Sequence, residues 1–261
     1  MAGQHRYPAP THTDSVEPVN RTGYIHSYTT GSAHDGPGLR TVVWTSGCHY
    51  RCHYCHNPDT WHLKSGQAIT AADLVATLAR YSSFMRHTGG GVTISGGEPL
   101  VQAPFVAEVM HGCKARSVHT ALDTNGFFGD RLSDADLDQI DLVLLDLKAW
   151  NPILHRRLTG VEVGPSLAFA QRLASLGRPA WVRFVLVPGL TDDPANIAGL
   201  ADFVADLPNV AYVEVLPFHQ LGRTKWEQLG LSYPLADTPP ATAAATLRAT
   251  EIFRSRGLSI R

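Results

Sequence analysis

Apolar residues recur along this chain with two alternating spacings, which predicts strands followed by helices. Six runs rich in β-branched and apolar residues have the length of buried strands; they cover residues 40–46, 91–95, 118–123, 142–147, 180–187 and 210–216. Helices are predicted between and after them, over residues 71–85, 101–115, 152–158, 165–176, 196–205 and 240–256. Thr70 is the expected N-cap of the first helix, because a threonine hydroxyl accepts a hydrogen bond from a free backbone N–H.

Strand and helix alternate about six times with short connections, which implies an α/β fold with parallel strands inside and helices outside. The length of 261 residues suits one domain, since a complete α/β barrel takes about 250 residues. We therefore predict a single-domain barrel, partial or complete, over residues 21–261. The polar segment 1–20, with prolines at positions 8, 10 and 18, is predicted to be a flexible N-terminal tail.

Charge and composition exclude two kinds of partner. Lys and Arg number 22 and Asp and Glu 23, giving a net charge of −1, so no basic excess exists to bind nucleic acid. No apolar run reaches the roughly 20 residues of a membrane helix, and the N-terminus lacks the apolar core of a signal peptide. We expect a cytoplasmic protein with no membrane and no nucleic-acid partner.

Unusual polar residues follow five of the six predicted strands. Because chemistry in α/β barrels occurs at the carboxyl ends of the strands, we expect these residues to meet at one rim. They are the cysteine loop after the first strand, residues 96–99, residues 123–126, the pair Asp146 and Lys148, and residues 217–219.

Three of the four cysteines form a C-x3-C-x2-C motif at Cys48, Cys52 and Cys55. Such a cluster binds metal more readily than it forms disulfides in a reducing compartment. Three thiolates can hold three corners of an iron–sulfur cubane and leave the fourth iron open to a small molecule. The alternative is a structural zinc site with His49, His53 or His56 as fourth ligand. Cys113 lies in a helical pattern and is expected to be a buried apolar residue.

These motifs resemble those of the radical S-adenosylmethionine (radical SAM) superfamily, whose signature C-x3-C-x-φ-C has an aromatic residue at the position of Tyr54. The Gly-Gly-Glu-Pro motif of that superfamily is matched at residues 96–99. Further segments resemble the activating enzymes of glycyl radical enzymes, and among these most closely the activators of pyruvate formate-lyase; they read HDGPGLRTVVWTSGC, CHYCHNPDTW, GGGVTISGGEPL, DTNGF, LLDLK and LPFHQLGRTKWEQLG. The resemblance runs from about Gly23 to the C-terminus.

The resemblance implies an incomplete (β/α)6 barrel, similar to part of a TIM barrel, with a [4Fe-4S] cluster on Cys48, Cys52 and Cys55. It also implies an S-adenosylmethionine site. Tyr54, Cys55 and His56 would lie along the adenine, and Gly97 would let the backbone approach the methionine amino group. The other implied cofactor contacts are Glu98, Asp146, Lys148, Arg183 and His219. Asp123 and Thr124, with Asp146, resemble a monovalent-cation site, for which oxygen ligands are suitable.

The implied activity is the reductive cleavage of S-adenosylmethionine to a 5′-deoxyadenosyl radical, which takes a hydrogen atom from one glycine of pyruvate formate-lyase. The cofactor carries this chemistry, so no catalytic side chain is predicted beyond the cluster and cofactor. The chain has no cysteine between Cys55 and Gly91, which argues against a second cluster. Flavodoxin or ferredoxin is the expected electron donor, and residues 35–38 and 218–226 are expected to contact the partner. Alternatives are the activation of another glycyl radical enzyme, a radical SAM enzyme for a small molecule, and a non-enzymatic zinc-stabilised binding module.

Overall fold

A single eight-stranded sheet is the frame of residues 20–261, the part of the chain that the computed structural model describes. The predicted tail over residues 1–20 lies outside the described residues except for Asn20. The strands are β1 (Thr22–Ser32), β2 (Arg40–Thr45), β3 (Gln67–Thr70), β4 (Gly91–Gly96), β5 (His119–Thr124), β6 (Leu142–Asp146), β7 (Ala180–Leu186) and β8 (Val210–Pro217). Their order in the sheet is β3-β1-β2-β4-β5-β6-β7-β8.

The six predicted strands are confirmed as β2 and β4 to β8, which pair in parallel from one neighbour to the next. In this register Thr45 pairs with Gly96 and Asp146 with Arg183. Because all six strands run in the same direction, their carboxyl ends lie along one edge, where the polar residues were expected. The sheet is open, with β3 and β8 as its end strands among the described residues, so the incomplete parallel barrel is confirmed.

The sequence pattern did not predict β1 and β3, which extend the sheet at one end. β1 pairs antiparallel with both β2 and β3. Most of its residues are exposed or half-buried, and only Gly23 and Ile25 are buried. A strand that is mostly exposed and polar lacks the apolar run that identified the other six. Its position is decided by pairing with β2.

The helices are α1 (Ala71–Ala79), α2 (Ser82–His87), α3 (Ala103–Lys114), α4 (Asp134–Leu137), α5 (Pro152–Thr159), α6 (Gly164–Ser175), α7 (Pro194–Ala205), α8 (Arg223–Gln228) and α9 (Ala243–Arg254). Thr70 caps α1 as predicted, accepting a hydrogen bond from the backbone N–H of Asp73 at 3.2 Å. The single helix predicted over residues 71–85 is wrong, because the backbone leaves helical geometry at Tyr81. Leu78 and Met85 are nevertheless both buried, so the apolar period continues across the break.

Two apolar clusters hold the molecule together. The larger one joins the sheet to α1, α3, α6, α7 and α9 and contains Cys113, which is buried on α3 as predicted. The smaller one packs the cysteine loop against the rim of the sheet through Tyr50, Tyr54, Phe218 and Trp226. This second cluster positions the site described below. Within residues 20–261, no helix is long and apolar enough to cross a membrane.

Candidate functional site

A cavity of about 490 Å³ opens at the carboxyl ends of the parallel strands. Twelve residues predicted from sequence line it; they are Cys48, Cys52, Tyr54, Cys55, His56, Gly97, Asp123, Thr124, Asp146, Lys148, Arg183 and His219. The five strand ends therefore meet at one place, as expected. Of the three histidines considered as a zinc ligand, only His56 lines this cavity.

Backbone hydrogen bonds hold the cysteine loop in place from both sides. The N–H of Cys48 donates to the carbonyl of Trp61 at 3.0 Å, and the N–H of Cys55 donates to the carbonyl of Cys52 at 3.0 Å. The N–H of Arg51 donates to the carbonyl of Thr159 at the end of α5. The Arg51 guanidinium also donates to the carbonyl of Cys48 at 2.7 Å. The loop is thus fixed before any group binds to it.

The three loop cysteines are free thiols, and burial raises the pKa of each. The pKa of Cys52 is raised to about 12. A thiol binds metal as its thiolate, so these residues need a strongly positive partner to ionise. Soft sulfur donors of this kind suit iron in an iron–sulfur cluster. Within residues 20–261, no three side chains of His, Cys, Asp or Glu lie close enough together to coordinate a single metal ion.

The Gly-Gly-Glu-Pro turn packs against the cysteine loop. A Cβ atom at Gly97 would collide with the carbonyl oxygen of Gly47 and lie 3.1 Å from the Cβ of Cys48. The close approach that requires glycine at this position is therefore to the cysteine loop itself. A valine at position 97 would disturb the loop that carries the thiols as well as the cavity.

Glu98 is buried beneath the cavity and does not line it. Its carboxylate accepts hydrogen bonds from the backbone N–H of Leu100 at 2.9 Å, the hydroxyl of Thr124 at 2.6 Å and the backbone N–H of Asn125 at 2.8 Å. It thus links the turn after β4 to the turn after β5. In this structure Glu98 positions other residues, and its predicted contact with a cofactor remains a prediction.

Two carboxylates and two cations form an alternating chain on the cavity floor. Arg183 Nη2 lies 3.4 Å from Asp123 Oδ2, and Arg183 Nε lies 3.3 Å from Asp146 Oδ1. Lys148 Nζ lies 2.7 Å from the other oxygen of Asp146. The parallel register that places Asp146 beside Arg183 brings these charges together from three strands. The set carries no net charge when all four groups are ionised.

The two carboxylates of this chain differ in their electrostatics. Burial raises the pKa of Asp123 to about 6, although Arg183 and the Ser95 hydroxyl favour its ionised form. Burial acts in the same direction on Asp146, but Lys148 and Arg183 together lower its pKa below the usual range. Asp123 Oδ1 is buried and accepts no hydrogen bond from the described residues. It is therefore available to a polar group in the cavity.

Aromatic rings form the opposite wall. Tyr54 is buried, and Lys148 Nζ lies 5.7 Å from the centre of its ring. The imidazoles of His56 and His219 contact each other, with centres 4.5 Å apart and planes tilted by 30°. Burial lowers the pKa of His56, and His219 lowers it further. The wall can therefore bind a flat aromatic group by ring contacts, and the charged floor can bind a zwitterionic group.

Sequence reasoning did not predict that several residues would contact the cysteine loop or the cavity beside it. Trp61 lines the cavity, and Trp226 donates from its indole N–H to the carbonyl of Cys55 at 2.8 Å. Lys225 contacts Asn57 and Asp59 at 2.9 Å each. Trp61 and Trp226 belong to quoted motifs, but their positions 165 residues apart in sequence concealed that they meet.

The chain matches the Radical SAM superfamily over residues 42–201. It is 41% identical over 237 residues to the pyruvate formate-lyase 1-activating enzyme of Escherichia coli (strain K12), covering 90% of this chain and 96% of that protein. It is 43% identical over 219 residues to the pyruvate formate-lyase-activating enzyme of Listeria monocytogenes serovar 1/2a, covering 82% of this chain and 88% of that protein.

Solved structures share the fold. A domain of a pyruvate-formate lyase-activating enzyme from Bacteroides vulgatus superposes with a TM-score of 0.54 at 24% identity, covering 66% of this chain and 98% of that one. Streptococcus suis SuiB bound to S-adenosylmethionine superposes with a TM-score of 0.62 at 18% identity, covering 84% of this chain and 49% of that one. At these identities the likeness concerns the fold, an open and mostly parallel α/β sheet.

Proposed function

This chain belongs to the radical SAM superfamily and, within it, to the pyruvate formate-lyase-activating enzymes, and on that premise we propose that it activates pyruvate formate-lyase. The observation that carries the proposal is the meeting of three cysteine thiols, an aromatic wall and a charged floor in one cavity. The relatives are enzymes by name, so the zinc-stabilised binding module has no support among them.

The superfamily uses a [4Fe-4S] cluster with S-adenosylmethionine, and the donor set of the cavity fits both groups. When bound, they supply the one-electron reductive cleavage that yields a 5′-deoxyadenosyl radical, which removes a hydrogen atom from a glycine of the partner. Cys48, Cys52 and Cys55 would hold the cluster by three thiolates. The side chains themselves bind, orient and exclude water.

The charged floor would bind the amino-acid end of S-adenosylmethionine. Arg183 and Lys148, which line the cavity, offer N–H donors to its carboxylate. Tyr54, His56 and His219 would bind the adenine by stacking. Glu98 would act indirectly, because its three hydrogen bonds hold the turns that present Gly97 and Thr124.

A monovalent cation at Asp123, Thr124 and Asp146 is part of the proposal. Oxygen donors are the ligands such an ion prefers. Arg183 contacts both carboxylates, so the ion would bind to Asp123 Oδ1, which accepts nothing from residues 20–261. Cation dependence of S-adenosylmethionine binding, measured in sodium, potassium and caesium salts, tests this assignment.

The rim would receive a loop of pyruvate formate-lyase. Asp35, Phe218 and His219 line the mouth of the cavity, which supports the expected docking segments 35–38 and 218–226. Leu221, in the second segment, is 81% exposed and offers an apolar contact at the rim. Flavodoxin or ferredoxin as electron donor, and a cytoplasmic location, complete the proposal; the free cysteines suit a reducing compartment.

Anaerobic reconstitution of the full chain tests this function. The protein should bind about four irons, as a [4Fe-4S] cluster requires. With a reductant, S-adenosylmethionine and pyruvate formate-lyase, it should generate a glycyl radical visible by electron paramagnetic resonance (EPR). If a small molecule accelerates cofactor cleavage many-fold and no protein radical forms, the partner is wrong and only the superfamily membership stands.

A further inference from the structure

The segment 219–226, which ends in the first turn of α8, packs directly on the cysteine loop. The indole N–H of Trp226 donates to the carbonyl oxygen of Cys55 at 2.8 Å. A Cβ atom at Gly222 would lie 2.9 Å from Cδ2 of His56 and 3.0 Å from the same carbonyl oxygen. The two segments are therefore in close contact, although Trp226 and Cys55 are 171 positions apart in sequence.

The Lys225 side chain binds this segment to the turn that follows the third cysteine. Its ammonium group donates to Asn57 Oδ1 at 2.9 Å and lies 2.9 Å from Asp59 Oδ2. Asp59 Oδ2 also lies 3.2 Å from His26 Nε2 on β1, so this carboxylate joins three segments of the chain. The side chains of Lys225 and Asp59 are 37% and 24% exposed. A pair that is partly buried in this way is screened less by salt than a surface pair.

The two segments that Lys225 joins carry the two imidazoles of the cavity wall. His56 directly precedes Asn57, and His219 begins the segment 219–226. Their ring centres are 4.5 Å apart, and both residues line the cavity. Lys225 itself does not line the cavity. It can therefore influence this wall only through the relative position of the two segments.

Other side chains of the same segment are exposed and engage no part of the cysteine loop through ion pairs. Leu221 is 81% exposed. Arg223 pairs with Glu227 one turn later on α8, at 2.7 Å. These side chains are accessible to a partner protein, whereas the ammonium group of Lys225 already has two acceptors within this chain.

We propose that Lys225 is a positioning residue that fixes the two-histidine wall against which the adenine of S-adenosylmethionine binds. It does so by holding the segment 219–226 on the turn at Asn57 and Asp59. The inference rests on the proposed function, since that function supplies the cofactor. It assigns Lys225, which lies in an expected docking segment, to cofactor binding and not to partner binding.

The test compares the binding of the whole cofactor with the binding of its amino-acid end. Equilibrium dialysis against the reconstituted full-length protein, without reductant, gives the dissociation constants of S-adenosylmethionine and of methionine. In Lys225→Met the constant for S-adenosylmethionine should rise about three- to tenfold, which is the range for one misplaced aromatic contact. The constant for methionine should stay within about twofold of the wild-type value, because the charged floor is independent of Lys225.

The same variant should distinguish cofactor binding from partner binding. In the glycyl radical assay, the KM for pyruvate formate-lyase should stay within about twofold of the wild-type value. Lys114→Met is the matched control, because Lys114 forms an ion pair of similar exposure with Asp141 at 2.6 Å. Neither of these two residues lines the cavity, so both dissociation constants should keep their wild-type values.

A double variant keeps the test decisive if Lys225→Met loses iron. The single variant leaves the Asp59 carboxylate without its lysine, and an uncompensated, partly buried charge destabilises a fold. Lys225→Met combined with Asp59→Asn removes that charge together with the ion pair. An unchanged affinity for S-adenosylmethionine in the double variant overturns the inference.

The outcomes separate the inference from the proposed function. A wild-type chain without a four-iron cluster would overturn the proposed function and the inference with it. A wild-type chain that generates the glycyl radical, beside an unchanged cofactor affinity in Lys225→Met, overturns only the inference. An equal loss of methionine affinity in Lys225→Met, or an equal loss of cofactor affinity in Lys114→Met, also overturns it, because either result would indicate a general effect on the fold.

Discussion

At the scale of single residues, the three loop thiols are set apart from the fourth cysteine by their surroundings. Cys48, Cys52 and Cys55 line the cavity, while Cys113 is buried in the main core on α3. Three ligands leave no spare for a cluster with one open iron. Loss of one loop thiol therefore removes a cluster ligand, whereas loss of the Cys113 thiol only weakens the packing of the core.

Alanine at Cys48, Cys52 or Cys55 should remove most of the iron and abolish cleavage of S-adenosylmethionine. Cys113→Ala should keep both and lower the free energy of unfolding by about 1 kcal/mol, as for a small buried truncation. Iron analysis, cofactor cleavage and urea unfolding measure the three effects. An iron-free Cys113→Ala beside an iron-loaded Cys52→Ala would refute the ligand assignment.

Glu98 predicts a pH dependence of stability. Burial raises the pKa of this carboxyl from its ordinary 4.5 to about 7, against its three hydrogen-bond donors. Because its pKa is higher in the folded state, the Glu98 carboxyl takes up a proton on folding. Its contribution to the free energy of unfolding is therefore present below pH 4.5 and is lost as the pH rises to about 7. The loss is of order 3 kcal/mol at 1.36 kcal/mol per pKa unit.

Urea unfolding of the metal-free protein between these pH values checks this prediction. Glu98→Gln should remove the decline in the free energy of unfolding, because glutamine does not titrate. It should also lower that free energy at pH 4.5 by about 1–3 kcal/mol, since one of the three donors loses its acceptor. Glu108→Gln, at a half-buried position on α3 that contacts Arg21, is the control that keeps the decline. If the free energy of unfolding falls equally steeply with pH in the wild type and in Glu98→Gln, the assignment of the pH dependence to Glu98 is wrong.

At the scale of elements, loops that rest on one another build the site, and the strands place the ends of those loops. The segment 35–38 before β2 is held from below by Arg40, a fully buried arginine. Its guanidinium donates to the carbonyls of Pro37 at 3.1 Å and Val92 at 2.6 Å. Gly38 has φ +65°, and a Cβ there would collide with the backbone of Gly89 and Gly90. The loop that brings Asp35 to the mouth of the cavity thus depends on a glycine.

Gly38→Ala should displace this loop and lower the yield of glycyl radical at least tenfold, while iron content stays normal. The physical reason is twofold, a collision with backbone and a left-handed conformation that alanine disfavours. Gly31→Ala is the matched control: Gly31 has φ +82°, and its added Cβ would meet nothing within 4 Å. It should cost about 1 kcal/mol in stability and leave the radical yield unchanged. Equal yields from both variants would show that the loop does not contact the partner.

At the scale of the whole molecule, the open sheet leaves the cavity accessible from the rim. Six parallel strands, extended at one end by β1 and β3, do not close into a barrel within the described chain. Residues 35–38 and 218–226 flank the opening from opposite ends of the sequence. A surface of this kind suits a folded partner that inserts one loop, because contacts around the rim can order the inserted segment.

A short peptide carrying the target glycine should therefore be a poorer substrate than intact pyruvate formate-lyase. We expect at least a tenfold lower kcat/KM, since the peptide must be ordered on binding and makes fewer rim contacts. Radical formation followed by EPR at matched concentrations gives the comparison. Equal efficiency would mean that recognition is confined to the residues nearest the glycine.

Local patterns in the sequence were enough to predict six strands, the N-cap at Thr70 and the burial of Cys113, because each depends on neighbouring residues and apolar spacing. The motifs after the strands were enough to predict a common rim, because parallel strands bring their carboxyl ends together. β1 was not predicted, because its residues are exposed and polar and the segment becomes a strand only by pairing with β2.

Tertiary structure alone decided which partners those residues have. Arg183 lies between Asp123 and Asp146, residues from three different strands, and only the sheet register sets those distances. Gly97 faces the cysteine loop, Glu98 links two turns, and Trp226 reaches Cys55 across 171 positions. The sequence by itself determined the chemistry at the rim, since that depends on residue types. The geometry of that chemistry depends on contacts between distant segments, which only the folded chain brings together.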